Sequence, residues 1–504
     1  MLATIPAATL LGVEATPVRV EVHVATGLPG FTVVGQPDTA CREARDRVRA
    51  ALLTSSLGWP SRRTTVNLAP SGVRKVGAGL DLAIAVGLLQ ADGQLDQPVP
   101  AGLGLLGELG LDGSVRRVPG LLSLVEATVA DEVVVPTDGY HEAALVGGRT
   151  LRPVGSLGEL VAALEGRAPW PDPPPAPRVP DPPPEPDLVD VRGQAVARRA
   201  VEVAAAGGHH LLMVGPPGAG KTMLARRLPG LLPDLPRSLA LDVTRVHSAA
   251  AQARPVEALV VRPPFRSPHH GASAVAVVGG GAGSLQPGEI SLAHGGVLFL
   301  DELGEFPVAV LEALRTPLEE GVVRIARARA KVTFPARFLL VGAMNPCPCG
   351  FAGQPGRCRC SPRALARYAR RLSGPLLDRF DLCVTVVAPE PGTLLGGPPG
   401  EPSWQVAERV ARARERAALR GVRANAELPG PALDEVGPLD AEATGLLEGL
   451  LAKGSLSPRG LRRVRSVALT LADLDGVDPP LGVPAVCTAA AMRAEPAFVQ
   501  TWAA

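Results

Sequence analysis

Gly215-Pro216-Pro217-Gly218-Ala219-Gly220-Lys221-Thr222 fits the pattern G-x-x-x-x-G-K-[ST]. An apolar run, Leu211 to Val214, precedes it and predicts a buried strand; Met223-Leu224-Ala225-Arg226-Arg227-Leu228 follows and predicts a helix. Strand, Gly-rich loop and helix are the setting in which this Walker A pattern cradles phosphates. Glycines let backbone N–H groups approach phosphate oxygens, and the helix start adds partial positive charge. Lys221 then reaches the β- and γ-phosphates, and the Thr222 hydroxyl ligates Mg²⁺. A plain Gly-rich turn before a helix is the alternative, and it leaves the matching flanks unexplained.

Working outward, Val297-Leu298-Phe299-Leu300 is an apolar run that delivers Asp301 and Glu302 to its end. A buried strand of a parallel sheet presents such acids beside the phosphate loop. Asp301 would hold the Mg²⁺ shell and Glu302 would polarise the attacking water. A further strand, Arg337 to Met344, ends at Asn345, whose amide can hold that water or the γ-phosphate, or can simply sit in a turn before Pro346. Ser373 to Asp381 contains Arg379, either a charge stabiliser for a neighbouring subunit's γ-phosphate or the partner of Asp378 or Asp381. Ser457-Pro458-Arg459-Gly460-Leu461 opens a helix that carries Arg459, with Arg462 as the alternative, towards the nucleotide.

The bulk composition permits this reading. The 504 residues suffice for about three domains. The chain is 46% apolar and 20% charged, with a net charge of +2. No apolar run approaches the roughly 20 residues of a membrane span, and Met1 to Leu11 lacks the basic start and cleavage site of a signal peptide. The expected location is cytoplasmic, without a membrane partner. Four of the seven cysteines, Cys347, Cys349, Cys358 and Cys360, fall within 14 residues. This spacing suits a metal clip in a reducing compartment better than a disulfide framework. Four thiolates on a Gly-rich loop can close a tetrahedral, structural Zn²⁺ site, with free thiols as the alternative.

Charge is uneven. From Val322 to Arg379, 58 residues carry 12 Lys or Arg against one acid, a local net of +11. Within this stretch Val322 to Phe334 predicts a hairpin bearing Arg324, Arg327, Arg329 and Lys331. It is suited to phosphate backbones by sequence-independent contact, or is a solvated or subunit-facing basic surface.

Residues 1–165 mix strand-like alternation, as in Val18 to Val24, with helices. Asp38 to Leu53 predicts an amphipathic helix bearing Arg42, Arg45, Arg47 and Arg49, read as a solvated face with contact to nucleic acid as the alternative. His23 falls on the polar face of its strand. Leu80 to Leu89 predicts a buried helix. Residues 166–187 form a linker: eleven of the nineteen residues from Pro169 to Asp187 are proline, which favours a semi-rigid spacer of roughly 60 Å at about 3.1 Å per residue. Residues 188–390 form the nucleotide-binding core and 391–504 a helical region, with helices predicted at Trp404 to Arg420, Asp440 to Leu451 and Leu461 to Leu474.

Gly107-Glu108-Leu109-Gly110-Leu111-Asp112-Gly113-Ser114-Val115-Arg116-Arg117-Val118-Pro119-Gly120, with Asp131 to Pro136 after it, resembles the proteolytic domain of Lon. Such proteases need a Ser–Lys dyad. Lys75-Val76-Gly77-Ala78-Gly79 has glycine at the serine position, and Leu121 and Leu122 stand where the lysine would be. The resemblance implies a Lon-like α+β domain without peptidase activity.

The order of motifs resembles AAA+ ATPases, with Asn345 as sensor 1, Arg379 as the arginine finger and Arg459 as sensor 2. Together with Asp190 to Gln194, Ala204 to His210, Pro264 to His270, Pro287 to His294 and Asn345 to Gly350, the chain resembles the magnesium-chelatase-like ATPases of the YifB/ComM type. The fold implied is α/β: the Lon-like domain, a P-loop core with a parallel sheet, and a C-terminal helical lid. The activity implied is a hexameric, ATP- and Mg²⁺-dependent motor that remodels DNA, as in branch migration during natural transformation, with the hairpin pointing into the ring pore. A chelatase-like motor acting on a protein partner is the first rival, a Lon-like protease the second. His269 and His270 are expected in a loop or interface.

Overall fold

The computed structural model describes residues 1–177, 185–250, 256–281, 285–327, 330–352, 356–371 and 374–493. Arg329 and Ser373 lie outside the described residues.

The apolar runs on either side of the phosphate loop build one five-stranded parallel sheet. Its spatial order is Phe265–Arg266, Val297–Leu300, Leu339–Met344, Leu211–Val214, Leu382–Thr385. Every residue of the three central strands is buried, as expected where helices cover both faces of a parallel sheet. The strand leading to Asn345 lies between the phosphate-loop strand and the strand leading to Asp301, with Val214 beside Met344 and Leu300 beside Gly342. Three polar tips are thereby brought to one edge by strand order alone.

The C-terminal helices share an apolar core with this sheet. Ser403–Leu419, Ala441–Ala452, Pro458–Asp475 and Val483–Arg493 contribute Val410, Leu447, Val467 and Val486 to a cluster that also holds Leu211, Phe299 and Val341. Helix Pro458–Asp475 starts where expected because the Ser457 hydroxyl accepts the Gly460 N–H at 3.0 Å, a normal N-cap. Its Arg463 lies 3.1 Å from the Asp381 carboxylate, at the start of the last sheet strand.

The N-terminal part has a four-stranded mixed sheet, in the order Leu2–Leu11, Glu14–Ala25, Arg63–Ala69, Gly30–Val34, and a three-stranded parallel sheet of Leu103–Leu105, Glu132–Pro136 and Thr150–Val154. Helix Asp81–Asp92 is apolar all round and buries ten of its twelve residues between them. Its one interior charge, Asp81, is raised to about 6 by desolvation and is held by Arg47, with Nε at 2.6 Å and Nη2 at 3.0 Å. Arg47 therefore does not belong to the solvated face predicted for helix Thr39–Thr54: a buried carboxylate needs a paired cation. His23 is exposed on its strand, as predicted.

The proline-rich segment does not hold the two parts apart. The turn between the first two strands inserts Gly12 (φ +72°) at the base of the basic hairpin; a Cβ there would stand 2.2 Å from Val332 Cγ1 and 3.4 Å from the Phe334 ring. Leu11 and Val13 pack on the same apolar cluster as Val332 and Phe334. A second contact is polar: buried Glu142 accepts from Ser248 Oγ at 2.5 Å and from Arg117, and Arg245 reaches Glu126 at 2.8 Å. At the end of the linker, Glu185 pairs with Arg262 at 2.8 Å and Asp187 accepts the Ser403 N–H at 2.7 Å. No helix among the described residues is long and apolar enough to cross a membrane.

Candidate nucleotide site and its surroundings

Gly215 to Thr222 leaves the sheet edge as a loop in which Gly218 and Gly220 take φ of +75° and +93°, values that disfavour any side chain. Gln194, itself at φ +58°, donates its amide to the Ala219 carbonyl at 2.5 Å and braces the loop from behind. Lys221 points back over the loop. Its ammonium donates to the carbonyls of Gly215 at 2.6 Å and Pro216 at 2.9 Å and to Asn345 Oδ1 at 3.1 Å. It is 8% exposed, and burial holds it below the usual lysine range, opposed by Asp301 and Glu302. Three neutral acceptors around one cation are weaker partners than the charged oxygens of a triphosphate. Thr222 Oγ1 donates to Asp301 Oδ2 at 2.7 Å, so a hydroxyl and a carboxylate, hard oxygen donors of the kind Mg²⁺ takes, share one point.

Glu302 follows in the left-handed region, φ 51° and ψ 47°. A non-glycine residue there costs about 1–2 kcal/mol, and such strain clusters where a side chain must be aimed. Its carboxylate Oε2 lies 3.0 Å from His270 Nδ1. His270 lies in a loop, as expected, and that loop brings it onto the acid. Tyr368 was also missed as a site residue. Its hydroxyl donates to the Asn345 carbonyl at 3.1 Å, and its ring closes over Gly304.

Two arginines stand differently from the four residues that converge. Arg379 is 7% exposed and pairs with Glu319, not with Asp378 or Asp381. Asp381 is instead taken by the His210 N–H at 3.0 Å and by Arg463. Arg459 is exposed on the first turn of its helix, whereas Arg462 donates to the Leu428 carbonyl at 2.6 Å.

Strands Val322–Arg327 and Ala330–Pro335 form the predicted hairpin, with Arg327 opposite Ala330. Arg324, Arg327 and Lys331 are exposed, Arg324 in a pair with Glu320. Val323, Val332 and Phe334 are buried on the side opposite Arg324 and Lys331. The alternation of a half-buried hairpin thus sends Val323, Val332 and Phe334 inward and Arg324 and Lys331 outward, while Arg327 continues the row of Val323 and Ile325 to the strand end and lines the cleft beside Gly12.

Cys347, Cys349, Cys358 and Cys360 come together, with their Sγ atoms within 4.8 Å of one another. Three of the separations are 3.4 Å for Cys347–Cys349, 3.7 Å for Cys349–Cys358 and 3.9 Å for Cys347–Cys358. In the N-terminal part, Lys75 is fully buried and donates to the carbonyls of Pro70 and Val73, while Ser71 is exposed. A cleft of about 700 Å³ lined by Gly77, Gly79, Arg74, Glu108 and Arg327 has neither serine nor lysine among its described lining residues.

Comparison with known proteins agrees with this geometry. Residues 187–394 match the family described as magnesium chelatase, subunit ChlI. Residues 20–138 match subunit ChlI of Mg-chelatase, and residues 400–493 match its C-terminal part. The chain is 46% identical to YifB of Escherichia coli K12 over 471 residues, 93% of this chain and 92% of YifB. It is 43% identical to the competence protein ComM of Haemophilus influenzae over 474 residues, 92% of each. A weaker likeness, 26% over 181 residues, covers 36% of this chain and 23% of a probable DNA helicase MCM9 of Arabidopsis thaliana. With such identity along nearly its whole length and a parallel sheet that brings Lys221, Thr222, Asp301 and Asn345 to one edge, the chain belongs to the YifB/ComM-type magnesium-chelatase-like proteins, on an AAA+ fold.

Proposed function

We propose that this chain is a ring-forming ATPase that couples ATP hydrolysis to movement on DNA, with branch migration of the kind used in natural transformation as its work. The observation that carries the reading is the set of exposed hairpin cations, Arg324 and Lys331 on its outer face and Arg327 at the end of its first strand, mounted on the same module as the Lys221–Thr222–Asp301–Asn345 cluster. Gly215 to Thr222 hold the triphosphate, and Thr222 and Asp301 hold Mg²⁺, which screens the phosphate charge. Glu302 orients the attacking water and Asn345 the γ-phosphate. Arg379 acts on a neighbour's nucleotide, most simply in a homo-hexamer, and must leave Glu319 to do so. Arg459 reaches the nucleotide from the helical lid.

In this reading residues 1–165 are a Lon-like domain without its dyad, 166–187 a linker, 188–390 the ATPase core and 391–504 the lid, and the protein works in the cytoplasm. The four cysteines hold a structural Zn²⁺. Backbone-tracking cations and few stacking aromatics favour contact without base readout and with strong salt dependence. A motor acting on a protein partner is the second reading, supported by the magnesium chelatase match over the core. A peptidase is disfavoured by the engagement of Lys75 with carbonyls. ATP turnover of the purified chain with and without branched DNA separates the first two: stimulation supports the DNA motor, and indifference to every DNA supports the protein remodeller.

A further inference from the structure

The four cysteines do more than sit close together. None is disulfide-bonded. A tetrahedral ion with bonds of about 2.3 Å places its thiolates about 3.8 Å apart, and the separations among Cys347, Cys349 and Cys358, 3.4, 3.7 and 3.9 Å, bracket that value. An iron–sulfur cluster, whose irons and sulfides must fit between the ligands, needs the sulfurs farther apart than the 4.8 Å that encloses all four here. The Ala352 N–H donates to Cys347 Sγ at 3.2 Å. Four thiolates leave no open position, which is the arrangement of a structural site.

The loop they close touches the nucleotide site at three points. Cys347 stands two residues after Asn345, the acceptor of the Lys221 ammonium. Helix Pro362–Ala369 begins directly after Cys360 and Ser361, and returns Tyr368 to the Asn345 carbonyl. Between them Gly350 (φ +84°), its N–H bonded to the Cys347 carbonyl at 2.9 Å, lies flat against the phosphate loop: a Cβ would stand 2.5 Å from Pro217 Cδ and 2.8 Å from Pro217 Cγ.

We propose that one Zn²⁺ on Cys347, Cys349, Cys358 and Cys360 clamps the phosphate loop, so that metal occupancy sets nucleotide affinity through Gly350 on Pro217 and through Asn345. This rests on the reading that Gly215 to Thr222 bind the nucleotide. An ion tying Cys347 and Cys349 to Cys358 and Cys360 fixes the chain on both sides of Gly350. Without it four mutually close thiols on a Gly-rich loop have nothing to hold them, and both the Pro217 contact and the Asn345 position relax.

The test uses the full-length chain, measuring zinc by atomic absorption and the Kd of a fluorescent ATP analogue with Mg²⁺. The wild type should carry one zinc per chain. Stripping with chelator should raise Kd about tenfold, within the roughly 5–150-fold typical of coupled sites, and added zinc should restore it. Cys349→Ser and Cys358→Ser should lose zinc and affinity together, while Cys487→Ser, an exposed cysteine outside the cluster, should change neither. Gly350→Ala should keep zinc yet weaken nucleotide binding, which loss of folding around an empty metal site would not explain. Less than about one zinc per five chains overturns the metal site. Full zinc with a Kd unmoved by stripping and by Gly350→Ala overturns the clamp alone, and a zinc-loaded wild type that binds no nucleotide overturns the phosphate-loop reading beneath it.

Discussion

Gly12→Ala tests how the N-terminal part governs the basic hairpin. Gly12 has φ +72°, and its added Cβ would stand 2.2 Å from Val332 Cγ1, an overlap that a side chain 4% exposed cannot escape by rotating into solvent. The left-handed backbone costs about 1–2 kcal/mol with a side chain, and overpacking costs about 1–3 kcal/mol. Together these give about 2–5 kcal/mol directed at one strand of the hairpin. Amide hydrogen exchange over Val322–Arg327 and Ala330–Pro335 should accelerate, by about thirtyfold at the low end of that range. DNA-stimulated ATP turnover should fall, and turnover without DNA should stay within about twofold, because Gly12 touches neither phosphate loop nor Asp301. Val332→Ala removes the clashing methyl and should recover at least about 1 kcal/mol in the double variant. Unchanged exchange in the hairpin, or strictly additive effects of Gly12→Ala and Val332→Ala, would refute the claim that the turn braces it.

Acid should weaken the ATPase core through His294, which accepts the Arg337 N–H at 3.0 Å and whose burial lowers it from 6.5 to about 4. Below pH 6.5 the unfolded chain takes the proton first, so stability falls as pH drops from about 6.5 towards about 4, by about 2 kcal/mol at pH 5. The gap between urea midpoints at pH 7 and 5 should narrow in His294→Asn, which keeps an acceptor but does not titrate, and persist in part because burial also lowers His210 to about 4; an unaltered pH dependence in that variant would contradict the assignment. His270→Ala should release the Glu302 carboxylate held 3.0 Å away and raise basal ATP turnover about two- to fivefold, the worth of a half-exposed contact of roughly 0.5–1 kcal/mol. A fall in turnover would instead give His270 a direct part in the reaction.

What was legible in the sequence was local or followed from strand order. The Gly-rich loop, the apolar runs before Asp301 and Asn345, and the alternation of the hairpin each report their own geometry. The placement of Asn345 between the two flanking strands follows once three parallel strands are granted. The pairings that cross the fold were not legible. His270 meets Glu302 only because its loop leaves the edge strand beside Val297–Leu300, and Arg47 leaves its solvent-facing helix pattern because Asp81 is buried opposite. Arg379 lies with Glu319 across the module, where the sequence offered Asp378 and Asp381 as neighbours. Gly12 carried no motif at all; only the close approach of Val332 explains it. The clustering of the four cysteines was legible, but the contact of Gly350 with Pro217 was not, since C-x-C spacing says nothing about what the residues between the two pairs touch.

The central claim is that ATP hydrolysis here is coupled to DNA through the hairpin. The measurement that tests it most directly is ATP turnover against branched-DNA concentration for the wild type and for Arg327→Glu with Lys331→Glu, at two salt concentrations. The account predicts stimulation that weakens as salt rises and disappears on charge reversal, with turnover in the absence of DNA preserved. Equal turnover with and without DNA, or stimulation that survives both reversals, would contradict it.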